Sequence, residues 1–489
     1  MDLLQVDGSQ IVTADGRPIR LRGTCVGGWM NMEEFINGHP GSEHGLRTIM
    51  AERLGTEAAQ FFFDRMSDHF FSEDDVAYLK SLGTTVVRLP LNYRHFESDQ
   101  RPFEYLEAGF ARLDQALGWC EKHGLYAALD MHAVQGWQNP DWHCDNSTRH
   151  TLFWSHTHFR DRFVALWEEL ARRYRGRAVI AGYDVMNEPV THAPFGRFSN
   201  QYESDWGAIN HLYRRVVTAI RAIDPDHIIF LEGDLFSREF DGMEPPFAPN
   251  LVYSSHNYTD AGFGPGPYPG RVTSGWANAE AQSASRSPKS EEWDYQKQSQ
   301  FFLNCSGRRF AQKHNVPLWV SEFGAAYNGP ANEIPDRLRA LDDQLAIYNE
   351  HGAHWTMWTY KDIHVMGWVQ LAPDAPYLKA IRHIMDAKRD LSTDFWMGWI
   401  PPTPAKAKVF ELAALIEQAM KDATMDSEAN RTFLAQATLS GYTAGLMQPH
   451  YARCFEGLSR TQLDLALRSS ALQQCRPHSA LIEVIRKHL

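Results

Sequence analysis

The chain has 489 residues, a formal net charge of −12 at pH 7 and a hydrophobic content of 43%. This length exceeds one ordinary domain of about 100–200 residues, so it fits one large barrel with an appendage or two to three smaller domains. The acidic balance argues against a nucleic-acid-binding protein, which needs a basic surface to neutralise phosphates.

The chain begins MDLLQVDGSQ, without a basic segment followed by an apolar one. It contains no run of 18 apolar residues. We therefore expect a cytoplasmic protein with no signal peptide and no membrane span. The six cysteines are scattered and form no CxxC pair, which favours reduced thiols over a disulfide framework.

Ahead of the first long apolar run, QIVTADGRPIRL predicts a hairpin with Asp15 and Gly16 at its turn. Eight apolar runs then alternate with amphipathic stretches, a pattern typical of parallel βα units. In chain order they read IRLRG, TTVVRLP, LYAALDM, VIAGYDVM, HIIFLEG, LVYSSH, PLWVSE and HWTMWTY. Eight such runs predict an α/β fold of the closed (β/α)8 TIM-barrel class, with the hairpin plugging its N-terminal end.

The stretches between the runs show helical spacing of apolar residues, and helices are predicted over 110–122, 159–174 and 206–223. A dinucleotide-binding sheet is disfavoured because the first strand is followed by RGTCVGGWMN and not by G-x-G-x-x-G.

Two long insertions follow predicted strands, one over 29–71 and one that begins at NYTDAGFGPG after the sixth strand. Both leave the C-terminal ends of strands, where barrel enzymes place their active sites. The barrel with its N-terminal hairpin is predicted to cover 1–388. The amphipathic stretches KVFELAALIEQAM and TQLDLALRSSALQQ predict that 389–489 is a C-terminal helical region.

Two predicted strands end in glutamate motifs. The fourth runs into NEP, which contains Glu188, and the seventh into SEFG, which contains Glu322. One such carboxylate could be structural. Two at the same face of one barrel match glycoside hydrolysis, in which one carboxyl protonates the leaving oxygen and the other attacks carbon or activates water. A retaining mechanism needs the two carboxyls about 5–5.5 Å apart.

These motifs and their order resemble glycoside hydrolase family 5, a family of (β/α)8 retaining β-glycosidases, over about residues 19–385. The resemblance implies that Glu188 is the general acid/base and Glu322 the nucleophile, with no metal and no cofactor. The motifs VVRLP, LDMHAVQGWQN, NEP, SSHNY and WTMWTY match further positions of the family. The substrate-binding residues implied by these matches are Arg88, His132, Asn187, His256, Tyr258 and Trp358.

The residue types suit these roles. Glu322 must stay ionised, which Arg88 and Tyr258 can support, while Glu188 must start protonated and needs a raised pKa. Asn187 can hydrogen-bond the sugar 2-hydroxyl.

Structural roles remain open for some of these residues. Arg88 could form an interior ion pair, His132 and His256 could be core histidines, and Trp358 could be barrel packing. The H-x-H of His156 and His158 has no third ligand placed beside it, so we predict no zinc site there.

The opening IRLRGTCVGGWMNMEEF resembles that of exo-β-1,3-glucanases and related β-glucosidases. The loop QGWQNPDWHCDN resembles that group and some β-mannosidases. Long loops could close the cleft into a pocket, so we expect exo-acting hydrolysis of short β-glucosides or β-mannosides, with the choice of sugar open. The candidate residues for the non-reducing end are His143, Asp145 and Asn146, and the candidate acceptor platforms are Trp137, Trp142, Trp276 and Trp368.

Three alternatives stay open. The enzyme could be an endo-acting β-glucanase or mannanase, or a glycolipid glycosidase. A catalytically degenerate barrel that only binds glycans is the alternative of another class, and the presence of both glutamates argues against it. The expected partner is an oligosaccharide or glycoside and no nucleic acid. The oligomeric state and the role of the C-terminal region stay open.

Overall fold

The computed structural model describes residues 1–192, 202–273, 290–394, 403–420 and 434–489. Eight parallel strands close into a barrel, in which each strand pairs with its neighbours in chain order and the last pairs with the first. They are β1 (Arg22–Cys25), β2 (Val86–Asn92), β3 (Tyr126–Ala133), β4 (Ile180–Asp184), β5 (Ile228–Glu232), β6 (Leu251–His256), β7 (Leu318–Glu322) and β8 (His354–Met357). The predicted (β/α)8 barrel is confirmed, because every predicted run supplies one strand.

Helices surround the strands. The main ones between β1 and the end of the barrel are Glu43–Leu54, Thr56–Phe70, Glu73–Leu82, Glu107–His123, Thr157–Tyr174, Trp206–Ile223, Tyr295–Asn304, Ser306–His314, Ile334–Glu350 and Pro376–Leu391. The three helices predicted from apolar spacing are confirmed. The one over Trp206–Ile223 begins where the Asp205 side chain accepts the N–H of Ala208, and it buries one face of six large side chains.

Shorter elements decorate the ends of the barrel. Single helical turns cover Glu34–Asn37, Leu152–Ser155 and Asp260–Phe263, and a turn with left-handed backbone angles covers Asp234–Ser237. Short strands outside the barrel are Gln5–Asp7, Gln10–Val12, Glu97–Ser98, Arg101–Tyr105, Gly270–Thr273, Ser290–Trp293, Lys361–Asp362, Val369–Leu371 and Cys475–Pro477. Within the described ranges, no helix is both long and apolar enough to cross a lipid bilayer.

The N-terminal hairpin closes the barrel at the end where the strands begin. The N–H of Thr13 donates to the carbonyl of Arg17 across the predicted Asp15–Gly16 turn. Leu4 and Ile11 pack in one cluster with the first residues of the barrel strands, Val86 and Tyr126 among them. The predicted plug is therefore confirmed, and the opposite end of the barrel is left for the functional site.

The first insertion is largely helical, and it shares a second hydrophobic core with the C-terminal region. Helices Glu43–Leu54 and Thr56–Phe70 supply Phe62 and Met66, and the C-terminal part of the chain supplies Tyr451 and Phe455. The described C-terminal elements are helices Pro404–Met420, Ala444–Arg453, Arg460–Leu467 and Ser479–Arg486 with a π-helical segment over Gln436–Thr443. The C-terminal region packs on the side of the barrel in this way.

Two connections tie the end of the chain to the barrel itself. Strand Cys475–Pro477 pairs antiparallel with Val369–Leu371, which follows β8. The last helix then places Leu481 and Ile485 in the main barrel core. A buried cation adds a third connection, because Nζ of Lys361 donates to Oδ1 of Asp75 (2.7 Å) and to the carbonyls of Phe70 and Ser470 (2.7 and 2.8 Å).

We predict that Lys361→Met destabilises the fold by about 3–5 kcal/mol, because it leaves the buried Asp75 carboxylate without its cation. Urea unfolding followed by tryptophan fluorescence measures this loss. The exposed Lys379 provides the control, and Lys379→Met should change stability by less than about 0.5 kcal/mol. Equal unfolding midpoints for the two variants would contradict the prediction.

Candidate active site

Arg88 lies at the centre of the candidate site. Its side chain is completely buried at the mouth of the barrel, where β2 places it. Its nitrogen atoms contact the side-chain oxygens of Glu322 (2.6 Å), Asn187 (2.8 Å), Asp184 (2.9 Å), Glu232 (3.0 Å) and Asp130 (3.2 Å). The guanidinium therefore joins the ends of β4, β5 and β7 through charge-assisted hydrogen bonds, and it adds β3 through the ion pair with Asp130.

Glu322 ends β7, and both of its carboxylate oxygens accept hydrogen bonds. Oε1 accepts from Nη1 of Arg88, and Oε2 accepts from the hydroxyl of Tyr258 at 3.0 Å. Burial raises the pKa of the Tyr258 phenol well above its usual value, and the carboxylates of Glu322 and Glu188 raise it further, so Tyr258 stays a donor. These two donors fix the orientation of the Glu322 carboxylate.

Glu188 follows β4 on a backbone that few L-residues adopt. Its φ is +48°, in the left-handed region, which costs a non-glycine residue about 1–2 kcal/mol. Two hydrogen bonds hold this conformation. The N–H of Glu188 donates to Oε2 of Glu232 (2.7 Å), and Nδ2 of Asn139 donates to its carbonyl oxygen (3.0 Å). The turn directs the carboxylate into the mouth of the barrel.

Two imidazoles face the Glu188 carboxylate. Nδ1 of His256 lies 2.5 Å from Oε1, and Nε2 of His143 lies 2.8 Å from Oε2. Burial alone raises the pKa of Glu188, but His256 and His143 outweigh it and hold the pKa well below its usual value. The expectation of a raised pKa for Glu188 is therefore wrong for the free protein, because His143, which was expected to hold the non-reducing end of the sugar, contacts this carboxylate instead.

The two glutamates are close together. One carboxylate oxygen of Glu188 and one of Glu322 lie within 4.8 Å of each other, and a ring nitrogen of His256 lies within the same distance of both. These three groups could also be a ligand set for a metal ion. Nδ1 of His256 and Oε1 of Glu188 are hydrogen-bonded at 2.5 Å, however, whereas ligands bonded to one ion at about 2.0 Å stand farther apart.

His132 and Trp358 form a stacked pair beside the glutamates. Their ring centroids are 5.2 Å apart and their planes differ by 7°. Nδ1 of His132 lies 2.7 Å from Oδ2 of Asp130, and Nε2 lies 3.3 Å from Oε1 of Glu33. Burial lowers the pKa of His132, but Asp130, Glu33 and Glu322 raise it to about 10. The backbone also approaches Trp358 closely at Gly27, where a Cβ atom would lie 2.6 Å from the indole ring.

All eight residues predicted for the site lie together at the mouth of the barrel. Sequence reasoning missed Asp130, Asp184 and Glu232, each within or at the end of a predicted apolar strand, where a carboxylate is rare unless it is paired. It also missed Glu33, which lies in the first insertion. No apolar strand surrounds Glu33 in the sequence, so nothing there marks its carboxylate as buried and paired.

Several predictions for the surrounding loops need correction. Trp368 is not an acceptor platform, because it is completely buried in the barrel core with Nε1 donating to the sulfur of Met357. The carboxylate of Asp145 accepts from the N–H of His44 and from the side chains of Asn92 and Arg94, so it holds loops together. The amide of Asn146 is likewise bonded within its own loop. Trp142 is nearly buried, Trp137 is half-buried, and Trp276 lies outside the described residues.

Comparisons with known proteins agree with this geometry. The profile of the family described as Cellulase (glycosyl hydrolase family 5) matches residues 55–363. A protein named Beta-xylosidase from Phanerodontia chrysosporium is 35% identical over 99% of this chain and 98% of its own length. Endoglucanase C from Acetivibrio thermocellus is 25% identical over 62% of this chain and 87% of its own. The crystal structure of an endogalactoceramidase aligns with 73% of this chain over 75% of its own chain, with a TM-score of 0.50 and 18% sequence identity. This similarity is one of fold.

We predict that His132 carries a proton on both ring nitrogens at pH 8, because its pKa is raised to about 10. Ring 15N chemical shifts, assigned by comparison with His132→Gln, measure its protonation. Asp130→Asn should lower the pKa of His132, because it removes one of the carboxylates that counteract the effect of burial. The exposed Asp226 provides the control, and Asp226→Asn should leave the signal unchanged. A neutral His132 ring at pH 8 in the wild type would show the prediction to be wrong.

The same shift has a consequence for stability. The pKa of an unfolded histidine is about 6.5, below the folded value. Protonation of His132 therefore stabilises the fold fully below pH 6.5, and this contribution is lost as the pH rises through about 10.

Proposed function

The chain belongs to glycosyl hydrolase family 5 and is a glycoside hydrolase, and from that premise we propose that it cleaves β-glycosidic bonds with retention of configuration at the anomeric carbon. The observation that carries the proposal is the distance of at most 4.8 Å between oxygens of Glu188 and Glu322. Retaining enzymes hold their carboxyls about 5–5.5 Å apart, whereas inverting enzymes separate them by about 6.5–9.5 Å to admit water.

In the proposed mechanism Glu322 is the nucleophile. Arg88 and Tyr258 orient its carboxylate while it attacks the anomeric carbon. Glu188 gives a proton to the leaving oxygen in this step and takes one from water when the glycosyl-enzyme is hydrolysed. Formation of the glycosyl-enzyme removes the charge of Glu322, which lowers the pKa of Glu188 and prepares it to act as the base.

The other residues of the site support proposed contacts with the sugar. Oδ1 of Asn187 accepts a hydrogen bond from Arg88, which turns Nδ2 towards the side of the pocket occupied by His132. An amide fixed in this way can donate to the sugar 2-hydroxyl, a contact that strengthens in the transition state. Trp358 with His132 forms the floor on which the sugar ring would lie.

Contacts between two loops support exo action. Nδ2 of Asn31, in the first insertion, donates to the carbonyl of His143 in the loop after β3 (2.9 Å). The N–H of His44 donates to Oδ1 of Asp145 (2.6 Å) between the same two segments. These contacts close one side of the mouth, so that a sugar chain would enter by its end. Glu188 and Glu322 are accordingly only 8% and 5% exposed.

The relative that aligns with almost the whole of this chain suggests a third candidate sugar beside glucose and mannose. Its name, Beta-xylosidase, makes xylose the first glycone to test beside glucose and mannose. Xylose lacks the hydroxymethyl group of glucose, and mannose differs from glucose in an axial 2-hydroxyl. We propose that the natural substrates are short β-linked oligosaccharides or glycosides that carry one of these sugars at the non-reducing end.

We predict that Glu188→Gln and Glu322→Gln each lower kcat/KM for phenyl β-glycosides by about 10²–10⁴-fold or more, because each removes a reacting carboxylate. Initial rates on phenyl β-xyloside, β-glucoside and β-mannoside measure the effect. Glu52→Gln changes an exposed glutamate and should keep wild-type rates. A wild type that cleaves none of these glycosides, or a fully active Glu322→Gln, would refute the assignment.

Azide distinguishes the two proposed roles. With Glu322→Ala, added azide should restore turnover of an activated aryl glycoside and give a glycosyl azide of inverted configuration, since the anion replaces the nucleophile. Nuclear magnetic resonance of the product reports the configuration. A rescue product of retained configuration would mean that the two roles are exchanged.

We predict that the enzyme releases only monosaccharide from the non-reducing end of xylo- and cello-oligosaccharides, because loop contacts close the pocket behind the first sugar. Time-resolved chromatography of reducing-end-labelled oligomers measures the order of products. Early appearance of labelled mono- or disaccharide from long oligomers would instead indicate endo action.

A further inference from the structure

His143 contacts the oxygen of Glu188 that His256 leaves free. It lies in the 3-10 turn Trp142–Cys144, within the loop after β3, and its Nε2 is 2.8 Å from Oε2 of Glu188. His256 occupies the other oxygen at 2.5 Å. Each carboxylate oxygen has two lone pairs, so the leaving group of a substrate can still be reached while both imidazoles remain in place.

The imidazole of His143 is held firmly in this position. The backbone carbonyl oxygen of His143 accepts a hydrogen bond from Nδ2 of Asn31 at 2.9 Å, which fixes the backbone of the loop. The ring is nearly buried and packs against His132 and Phe236, with both ring centroids 6.1 Å from its own, and against Trp142 at 5.6 Å. The contact with Glu188 is thus part of a built site and not a chance contact of a mobile side chain.

The same nitrogen of His143 also faces an amide donor. Nδ2 of Asn139 lies 2.9 Å from Nε2 of His143. The orientation of this amide is fixed, because its Oδ1 accepts the N–H of Asp141 (2.9 Å) and its Nδ2 donates to the carbonyl of Glu188 (3.0 Å). An imidazole nitrogen donates when protonated and accepts when not. Nε2 of His143 therefore has a suitable partner in each state, Glu188 when protonated and Asn139 when deprotonated.

His256 differs in this respect. Its Nδ1 lies 2.5 Å from Oε1 of Glu188, and its Nε2 lies 3.3 Å from Oε1 of Glu232. Both of its nitrogens face carboxylate oxygens, an arrangement that favours only the protonated ring. Of the two imidazoles on Glu188, His143 is the one whose surroundings suit the gain and loss of a proton.

The charges that face His143 come from three segments. Glu188 follows β4, Glu33 comes from the first insertion, and Asp141 precedes His143 in its own loop. The protonated His132 of β3 opposes them. Burial lowers the pKa of His143, but Glu188, Asp141 and Glu33 raise it to about 9. Arg149 contacts Asp141 at 3.0 Å and moderates its effect.

We propose that His143 is a positioning residue that stores the proton which Glu188 delivers to the leaving group. This inference rests on the proposed acid/base role of Glu188. In the resting enzyme the proton is bonded to Nε2 of His143, and Glu188 is a carboxylate. As the glycosidic bond breaks, the leaving oxygen takes a proton from the Glu188 carboxyl, to which the proton of His143 has moved. The electron pair of the N–H bond stays on Nε2, where Asn139 donates to it.

The second half of the reaction restores this state. Water attacks the glycosyl-enzyme and loses a proton to Glu188, and the proton returns to Nε2 of His143. Over the full cycle one water molecule is consumed and no group of the protein changes. The low pKa of Glu188 in the free enzyme is then compatible with acid catalysis, because the proton is kept next to the carboxylate.

The test compares two leaving groups in His143→Gln, which keeps a donor amide but cannot store a proton. Dinitrophenyl glycosides leave without protonation, whereas phenyl glycosides need it. Since general acid catalysis contributes about 10²–10⁴-fold, we expect kcat/KM for the phenyl glycoside to fall by about tenfold or more, and that for the dinitrophenyl glycoside by less than about threefold. The alkaline limb of kcat/KM for the phenyl glycoside should also move to lower pH.

His150→Gln is the matched control, because His150 is exposed in the same loop, and it should keep wild-type values for both substrates. An equal loss on both leaving groups in a folded His143→Gln variant would overturn the proposal, since a merely structural role affects both. A wild type inactive on both would instead refute the proposed function. If His143→Gln does not fold, the 15N titration of His143 in the wild type decides: a ring pKa that matches the alkaline limb supports the proposal, and a ring that stays protonated beyond it overturns it.

Discussion

The buried guanidinium of Arg88 is the interaction on which the rest of the site depends. It places one fixed positive charge among the carboxylates of Asp130, Asp184, Glu232 and Glu322. Without a cation at this point, repulsion among these buried carboxylates would oppose closure of the strand ends, because buried like charges repel strongly at low dielectric. The planar donor fork also sets directions, so that Glu322 and Asn187 face the mouth of the barrel at fixed angles. Arg88 thus contributes both to the catalytic geometry and to the closure of the barrel.

Protonated histidines complete this balance of charge. His132 and His256 each lie between carboxylates from different segments, and His143 lies against Glu188. The carboxylates raise the pKa of each of these imidazoles, and His256 and His143 in turn lower the pKa of Glu188. The site is therefore one coupled network, in which proton positions follow from contacts between strands and loops that are distant in sequence. The low pKa of Glu188 is a property of this network and not of the NEP motif.

This distinction explains what could be predicted from the sequence. The eight strands were predictable because buried parallel strands are short apolar runs, and Glu188 and Glu322 were predictable because motifs at strand ends fix which face they share. The helix Glu43–Leu54 was not, because it follows the Gly- and Pro-rich GHPGS and shows no strong apolar periodicity of its own. Trp368 was misassigned because a tryptophan in a loop sequence gives no sign of whether it faces solvent or the core. Contacts such as His143 with Glu188 depend on how two loops meet, which no local pattern records.

The C-terminal region gives those loops a support from behind. Nε2 of Gln448 donates to the carbonyls of Pro40 and Ser42, and the hydroxyl of Tyr377 donates to the carbonyl of Asn37 and accepts from the hydroxyl of Tyr451. These bonds fix the first insertion, and Asn31 of the same insertion closes the pocket over His143. A loop of this length would otherwise sample many conformations, at an entropic cost when it closes on a substrate. Because helices pack on the outer side of this loop, the loop is ordered when the protein folds. The pocket is therefore formed before a sugar binds. The helical region after the barrel is in this sense a part of the active site, although none of its described residues contributes a group to the chemistry proposed here.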